Sequence, residues 1–164
     1  YKFIVLGGEG RTGEDGKQII SDEQLSWLES ELADAAESGK PCFVINHYLV
    51  YGRNGSRSYA GFNITDQNDR LTEILETSGV RTFYFCGHSH YGVSDDSVQT
   101  TKNVTYINLP ATGNPGNYYP ANEDCGKDGI GMQMEVYEDE VLFRARNFGS
   151  SKWYPVYDHS VPLV

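Results

Sequence analysis

An α/β fold is predicted, with a βαβαβ front followed by antiparallel strands. Two observations predict it. Short apolar runs alternate with stretches of helical period from residue 1 to residue 92, and β-like runs without intervening helices follow from residue 104. The alternating order implies parallel pairing with right-handed crossovers in the front half.

Lys2 to Leu6 reads as a short buried strand, and the Gly-rich, polar stretch from Gly7 to Gly16 as a loop. Ser21 opens a helix. Ser21 and Gln24 fit the capping box S-x-x-E/Q, in which two orphan backbone donors are satisfied reciprocally. Leu25, Leu28, Leu32 and Ala36 then fall at helical spacing. Gly39 can end the helix in a left-handed conformation, and Pro41 prevents its restart.

Cys42 to Asn46 is the next strand, ending at His47, and Tyr51 to Thr65 reads as a polar loop. A second helix is expected over Asp66 to Ser78, with Leu71, Ile74 and Leu75 inward and Gly79 at its end. Val80 to Cys86 is a third strand, and Gly87 to Gly92 a tight turn. Val104 to Leu109, Gly131 to Tyr137 and Val141 to Phe148 are β-like, with Glu138, Asp139 and Glu140 suggesting a hairpin between the last two. Pro110 to Asp128 is a long loop, within which Asn114 to Tyr119 could serve as a lid.

Composition limits the function classes. The 164 residues suffice for one domain, with 38% hydrophobic and 22% charged residues, a globular composition. No apolar run approaches the roughly 20 residues of a membrane-spanning helix. The formal charge is 13 − 23 = −10. A field of that sign opposes nucleic-acid binding by a broad basic surface, whereas a small phosphate ester stays possible where metal cations reverse the local sign. Cys42 and Cys86 read as buried thiols inside strands, and Cys125 lies in a polar loop without an assigned role. Three N-x-S/T sequons occur, at Asn54, Asn63 and Asn103. With the acidic, tyrosine-rich composition they lean toward the cell surface or exterior. The chain opens at Tyr1 on an apolar strand, which leads to the expectation of a piece excised from a longer protein.

Three of the four histidines follow predicted parallel strands. His47 closes the Cys42 strand, and His88 and His90 follow the Val80 strand. In open α/β sheets ligands bind at the carboxyl edge, so two neighbouring strands would carry these imidazoles to one rim. Neutral imidazole is a good ligand for zinc, iron and related metals. Taken singly, a histidine at a strand end is more often a hydrogen-bonded structural residue than a ligand; their convergence makes the case for metal. His159 has no such company and reads as structural or exposed.

Val44-Ile45-Asn46-His47 resembles the V-x-x-H motif of calcineurin-like metallophosphoesterases, and Gly87-His88-Ser89-His90 resembles their G-H-x-H motif. The helix start Ser21 to Glu29 is similar to the one that precedes the V-x-x-H strand in purple-acid-phosphatase-like members. Order and spacing agree over residues 1 to about 110, and the tail from Arg144 to Trp153 agrees more loosely. The resemblance implies a four-layer αββα sandwich with a dinuclear metal centre of Zn, Fe or Mn, hydrolysing phosphate mono- or diesters. It implies that residues 1–164 are the C-terminal part of that domain, with His47 and His88 on one metal and His90 on the other. The family's D-x-H, G-D-x-x-D/Y and G-N-H-D/E motifs, which supply the bridging carboxylate and a catalytic histidine, do not occur in this sequence. The expectation is therefore an active parent and an inactive isolated chain that self-associates through its uncovered sheet. Tyr48, Arg53 and Tyr91 are candidate substrate contacts, as is Arg57. For Arg53 and Arg57 the reading as solvated loop charges is the favoured one. Two other readings stay open: a mononuclear zinc hydrolase with three histidine ligands, complete in this chain, and a non-catalytic binding or regulatory module.

Overall fold

The computed structural model describes residues 1–10, 18–55, 63–64, 67–113 and 129–163. Among these residues the chain is mixed α/β in three layers: two helices, a five-stranded sheet and a four-stranded sheet. The candidate lid, Arg57 and Cys125 lie outside the described residues.

The front half follows the alternation of the sequence. β1 (Lys2–Val5), β2 (Cys42–Ile45) and β5 (Thr82–Cys86) run parallel, with α1 (Asp22–Glu37) between the first two and α2 (Asn68–Thr77) before the third. Ser21 caps α1, its hydroxyl accepting the Gln24 N–H at 3.1 Å. The reciprocal half of the capping box is replaced. The Ser21 N–H donates to the Glu9 carboxylate, and the Gln24 amide reaches back to accept from the Gly7 N–H and donate to its carbonyl. Gln24 thus ties the helix start to the chain leaving β1. At the other end Gly39 takes φ 65°, the left-handed conformation expected of it. The buried stripe of α1 is Leu25, Leu28, Leu32 and Ala35; Ala36 faces solvent.

Successive strand residues face opposite layers. Cys42, Val44, Tyr84, Cys86, Val104 and Tyr106 pack under the two helices, with Leu71, Ile74 and Leu75 of α2 among them. Phe43, Phe83 and Ile107 point the other way, into a second core with Val141, Phe143 and Val161. Phe43 and Phe83 stack at 5.4 Å, and Phe143 tilts against Phe83 at 5.9 Å. Burying such rings contributes roughly 1.5–3 kcal/mol each. Both of these cysteines are buried and free, as expected.

Three expectations are corrected. β7 (Val104–Asn108) is not one of the antiparallel strands of the second half. It runs parallel to β5 in the front sheet, and β6 (Val98–Thr101) pairs with it antiparallel at the far edge. The order of that sheet is β1-β2-β5-β7-β6. Strand pattern records burial but not direction, so this was invisible in the residues. Second, β1 is not fully buried: it is an edge strand, leaving Phe3 61% and Val5 64% exposed on the face opposite Ile4. Third, the loop after His47 contains a short parallel pair, β3 (Leu49–Val50) with β4 (Asn63–Ile64).

The second sheet is built on β9 (Glu140–Asn147), which pairs with β8 (Ile130–Val136) on one side. On its other side lie β10 (Lys152–Trp153) and β11 (His159–Pro162), all antiparallel. The β8–β9 hairpin closes at Glu138 and Asp139, with the Tyr137 N–H donating to the Glu140 carbonyl at 2.9 Å.

Candidate functional site

β2 and β5 are adjacent and parallel, so their carboxyl ends share one rim. His47 follows β2 and His88 follows β5. Their rings meet there, His47 Nε2 lying 3.0 Å from His88 Nδ1. One nitrogen donates and the other accepts. The Gly87 N–H donates to the His47 carbonyl at 3.0 Å, which locks the two chain exits together beneath the rings. The Tyr48 ring lies over His88 at 4.3 Å and edge-on to His47 at 5.0 Å, walling one side of the pair.

His88 and His90 both take positive φ, 65° and 55°. Left-handed backbone costs a residue bearing a Cβ roughly 1–2 kcal/mol. Strain of this kind persists where surrounding structure over-determines it, and it clusters at functional sites. Ser89 between them is buried. His47, Gly87, His88 and His90 line an open cleft of about 280 Å3, closed on its other side by Leu109 to Gly113.

The cleft brings together the three predicted ligands, though not as one cluster. His47 and His88 are in contact, and His90 is exposed on the same cleft. Among the described residues no group of three or more His, Cys, Asp or Glu side chains gathers closely enough to hold an ion. The pair itself suits a metal. A tetrahedral zinc with Zn–N of about 2.0–2.1 Å sets two donors about 3.4 Å apart, so the rings need open by only a few tenths of an ångström. No carboxylate lines the described cleft.

The other candidates lie away from it. Arg53 is neither a free phosphate ligand nor a solvated charge. Its guanidinium grips the Glu76 carboxylate through Nε at 3.1 Å and through Nη2, and lies over the Tyr106 ring at 5.4 Å. Lys102 Nζ at 3.1 Å and the Tyr106 hydroxyl at 3.1 Å complete the partners of Glu76. Burial works to raise the Glu76 carboxyl; the hydrogen bonds from Arg53 and Lys102 outweigh it and hold the group below its ordinary value. Tyr91 is buried, its carbonyl accepting the Ala111 N–H at 3.0 Å. His159 sits on β11, and burial lowers its pKa.

Two sequons prove to be structural pins. Asn54 is 1% exposed, and its Nδ2 donates to the carbonyls of Asp96, Ser97 and Tyr106. Asn103 Nδ2 donates to Leu75 O, Ser78 Oγ and Val80 O. A glycan on either would displace these bonds. Sequence reasoning missed Asn108, which ends β7 beside the histidines and is wholly buried. A polar residue closing an apolar strand was its only available signal.

A larger cleft, about 600 Å3, opens at the opposite rim between Lys40, Arg81, Asn103 and Glu138. It holds charges of both signs and no imidazole. No protein-family model matches the chain, and no curated protein is similar enough to match it. No helix among the described residues is long and apolar enough to cross a membrane.

Proposed function

We propose that this chain is the C-terminal part of a four-layer αββα metallophosphoesterase domain whose parent hydrolyses phosphate mono- or diesters. His47 and His88 hold one metal ion, and His90 serves a second, the metals being Zn, Fe or Mn. The observation that carries this reading is the 3.0 Å contact between His47 and His88 on the shared carboxyl rim, with His90 on the same cleft but outside the pair. Two bound metals would supply a nucleophile at neutral pH and a sink for phosphoryl charge.

The chain's own residues do the rest of the local work. His47 and His88 share one hydrogen bond between ring nitrogens, which a metal would replace, and Tyr48 lies over the His88 ring and fixes its tilt. The segment Leu109 to Gly113 forms the wall against which a small phosphate ester would rest. The bridging carboxylate and the catalytic histidine of the resemblance would come from outside these 164 residues, so the isolated chain is expected to be inactive. A single-ion hydrolase built on all three histidines would need His90 to join the pair, and the separation of His90 favours two ions instead.

Calorimetric titration with zinc tests this. Binding to the 164-residue chain is expected to weaken at least about tenfold in His47→Ala and in His88→Ala, and to survive in His90→Ala. In the full-length parent, His90→Ala is expected to abolish turnover of a model phosphate ester; unchanged turnover would refute the assignment. Stoichiometric zinc with robust turnover by the isolated chain would favour the single-ion hydrolase. No zinc uptake by the wild-type chain would favour the binding module.

The uncovered edge of β1 supports self-association of this chain. Phe3 and Val5 leave apolar surface beside backbone groups that no strand pairs among the described residues. Sedimentation should show concentration-dependent association, abolished by Val5→Lys. A single monomeric species at high concentration for the wild type would count against it.

A further inference from the structure

His88 sits at the centre of a turn that its two neighbours close. The Ser89 N–H donates to the Gly87 carbonyl at 2.7 Å, and His88 between them has φ 65°. A bond from one residue back to the second before it closes a γ-turn, and the positive-φ form is the rare, strained one. Asn108 lies across this turn. Its Nδ2 donates to the Gly87 carbonyl at 3.2 Å, and its Oδ1 accepts the Ser89 hydroxyl at 2.9 Å. It therefore grips the residue on each side of His88. The grip is anchored in the sheet, because Asn108 stands opposite Cys86 in the parallel β5–β7 ladder. Ser89 and Asn108 are both buried, so water does not compete for these bonds.

We propose that Asn108 is a positioning residue, acting through the Ser89 hydroxyl to hold the His88 turn so that its ring meets His47 and His90 stays outside the pair. Left alone, the strain at His88 would favour a relaxed turn by roughly tenfold. Two bonds to one rigid amide oppose that relaxation at both ends of the turn. Relaxing it would swing His88 away from His47, because the direction of the ring follows the backbone of the turn, while the backbone bond from Gly87 to His47 holds only the strand ends. The consequence for metal binding rests on the reading of His47 and His88 as ligands of one ion; the ring contact itself does not.

The test uses the 164-residue chain with Ser89→Ala, Asn108→Ala and, as a control, Asn103→Ala, which removes a comparable amide brace at the opposite rim. The readouts are the His47–His88 ring contact by NMR in metal-free protein, zinc affinity, and the thermal midpoint. Ser89→Ala and Asn108→Ala are expected to lose the ring contact and to weaken zinc binding by about 10–100-fold, as supporting residues around metal ligands do. Asn103→Ala should lower the midpoint while leaving ring contact and zinc affinity at wild-type levels. Ring contact retained in both site variants would overturn the proposal. If Asn108→Ala does not fold, Ser89→Ala decides alone, since it keeps the bond from Asn108 to Gly87. If wild-type protein takes up no zinc, the metal reading falls, and the ring contact still decides the role of Asn108.

Discussion

Two polar clusters in this molecule contrast. Around Glu76, the guanidinium of Arg53, the ammonium of Lys102 and the hydroxyl of Tyr106 converge on one buried carboxylate. At the rim of β2 and β5, two imidazoles meet across a strained turn and face a cleft. The first cluster directs its charges at one another and leaves nothing for a ligand. The second stores strain in the backbone of His88 and His90 and pairs two rings beside an open cleft. The difference separates a polar group that holds the fold from one that the fold holds under strain. It also explains why an arginine near the site in sequence is no part of it.

The largest expected effect tests the first cluster. Arg53→Ala removes the main partner of a buried carboxylate and should cost about 3 kcal/mol in urea denaturation, with zinc affinity unchanged. A loss near zero would make Arg53 a solvated charge after all. Next comes the second cluster. His88→Gly relieves the positive φ and should stabilise the protein by about 1 kcal/mol while removing the ring pair. Destabilisation would mean that the turn is not strained.

The smallest effect concerns acid. Glu76 is held below its ordinary pKa, so its contribution is present at neutral pH and disappears only as pH falls through that lowered value. His159 is a base lowered beneath its ordinary 6.5, so the unfolded chain protonates first and stability falls as pH drops below about 6.5. Between about pH 7.5 and about pH 5.5 the decline should therefore come from His159 and flatten in His159→Leu. A slope unchanged in that variant would assign it to other groups.

Much of the scaffold was legible in the residues, and the reasons are local. Leu25, Leu28 and Leu32 at helical spacing, a serine before them and Gly39 behind located α1 nearly to its ends. Leu71, Ile74 and Leu75 did the same for α2. The apolar runs ending at His47 and His88 located the rim. What escaped depends on partners distant in the chain. The direction of β7 is set by its neighbour. Val98–Thr101 is too polar to announce a strand and pairs only because β7 lies beside it. Gln24 left the capping box for Gly7, which no local rule foresees. The site divides the same way. Motif spacing named the three histidines, whereas the strain at two of them and the grip of Asn108 exist only in three dimensions.

The arrangement of the two tryptophans gives the layers separate optical reporters. Trp27 is half-exposed on α1, on the helical side of the five-stranded sheet. Trp153 lies on β10, its indole faced by the guanidinium carbons of Arg144 at 4.3 Å and Arg146 at 4.7 Å. Each outer layer thus carries one fluorophore in a different surrounding, one wet and one flanked by cations. Trp27→Phe would leave an emission that follows the four-stranded sheet alone, so loosening of that sheet could be timed apart from the melting of the helices.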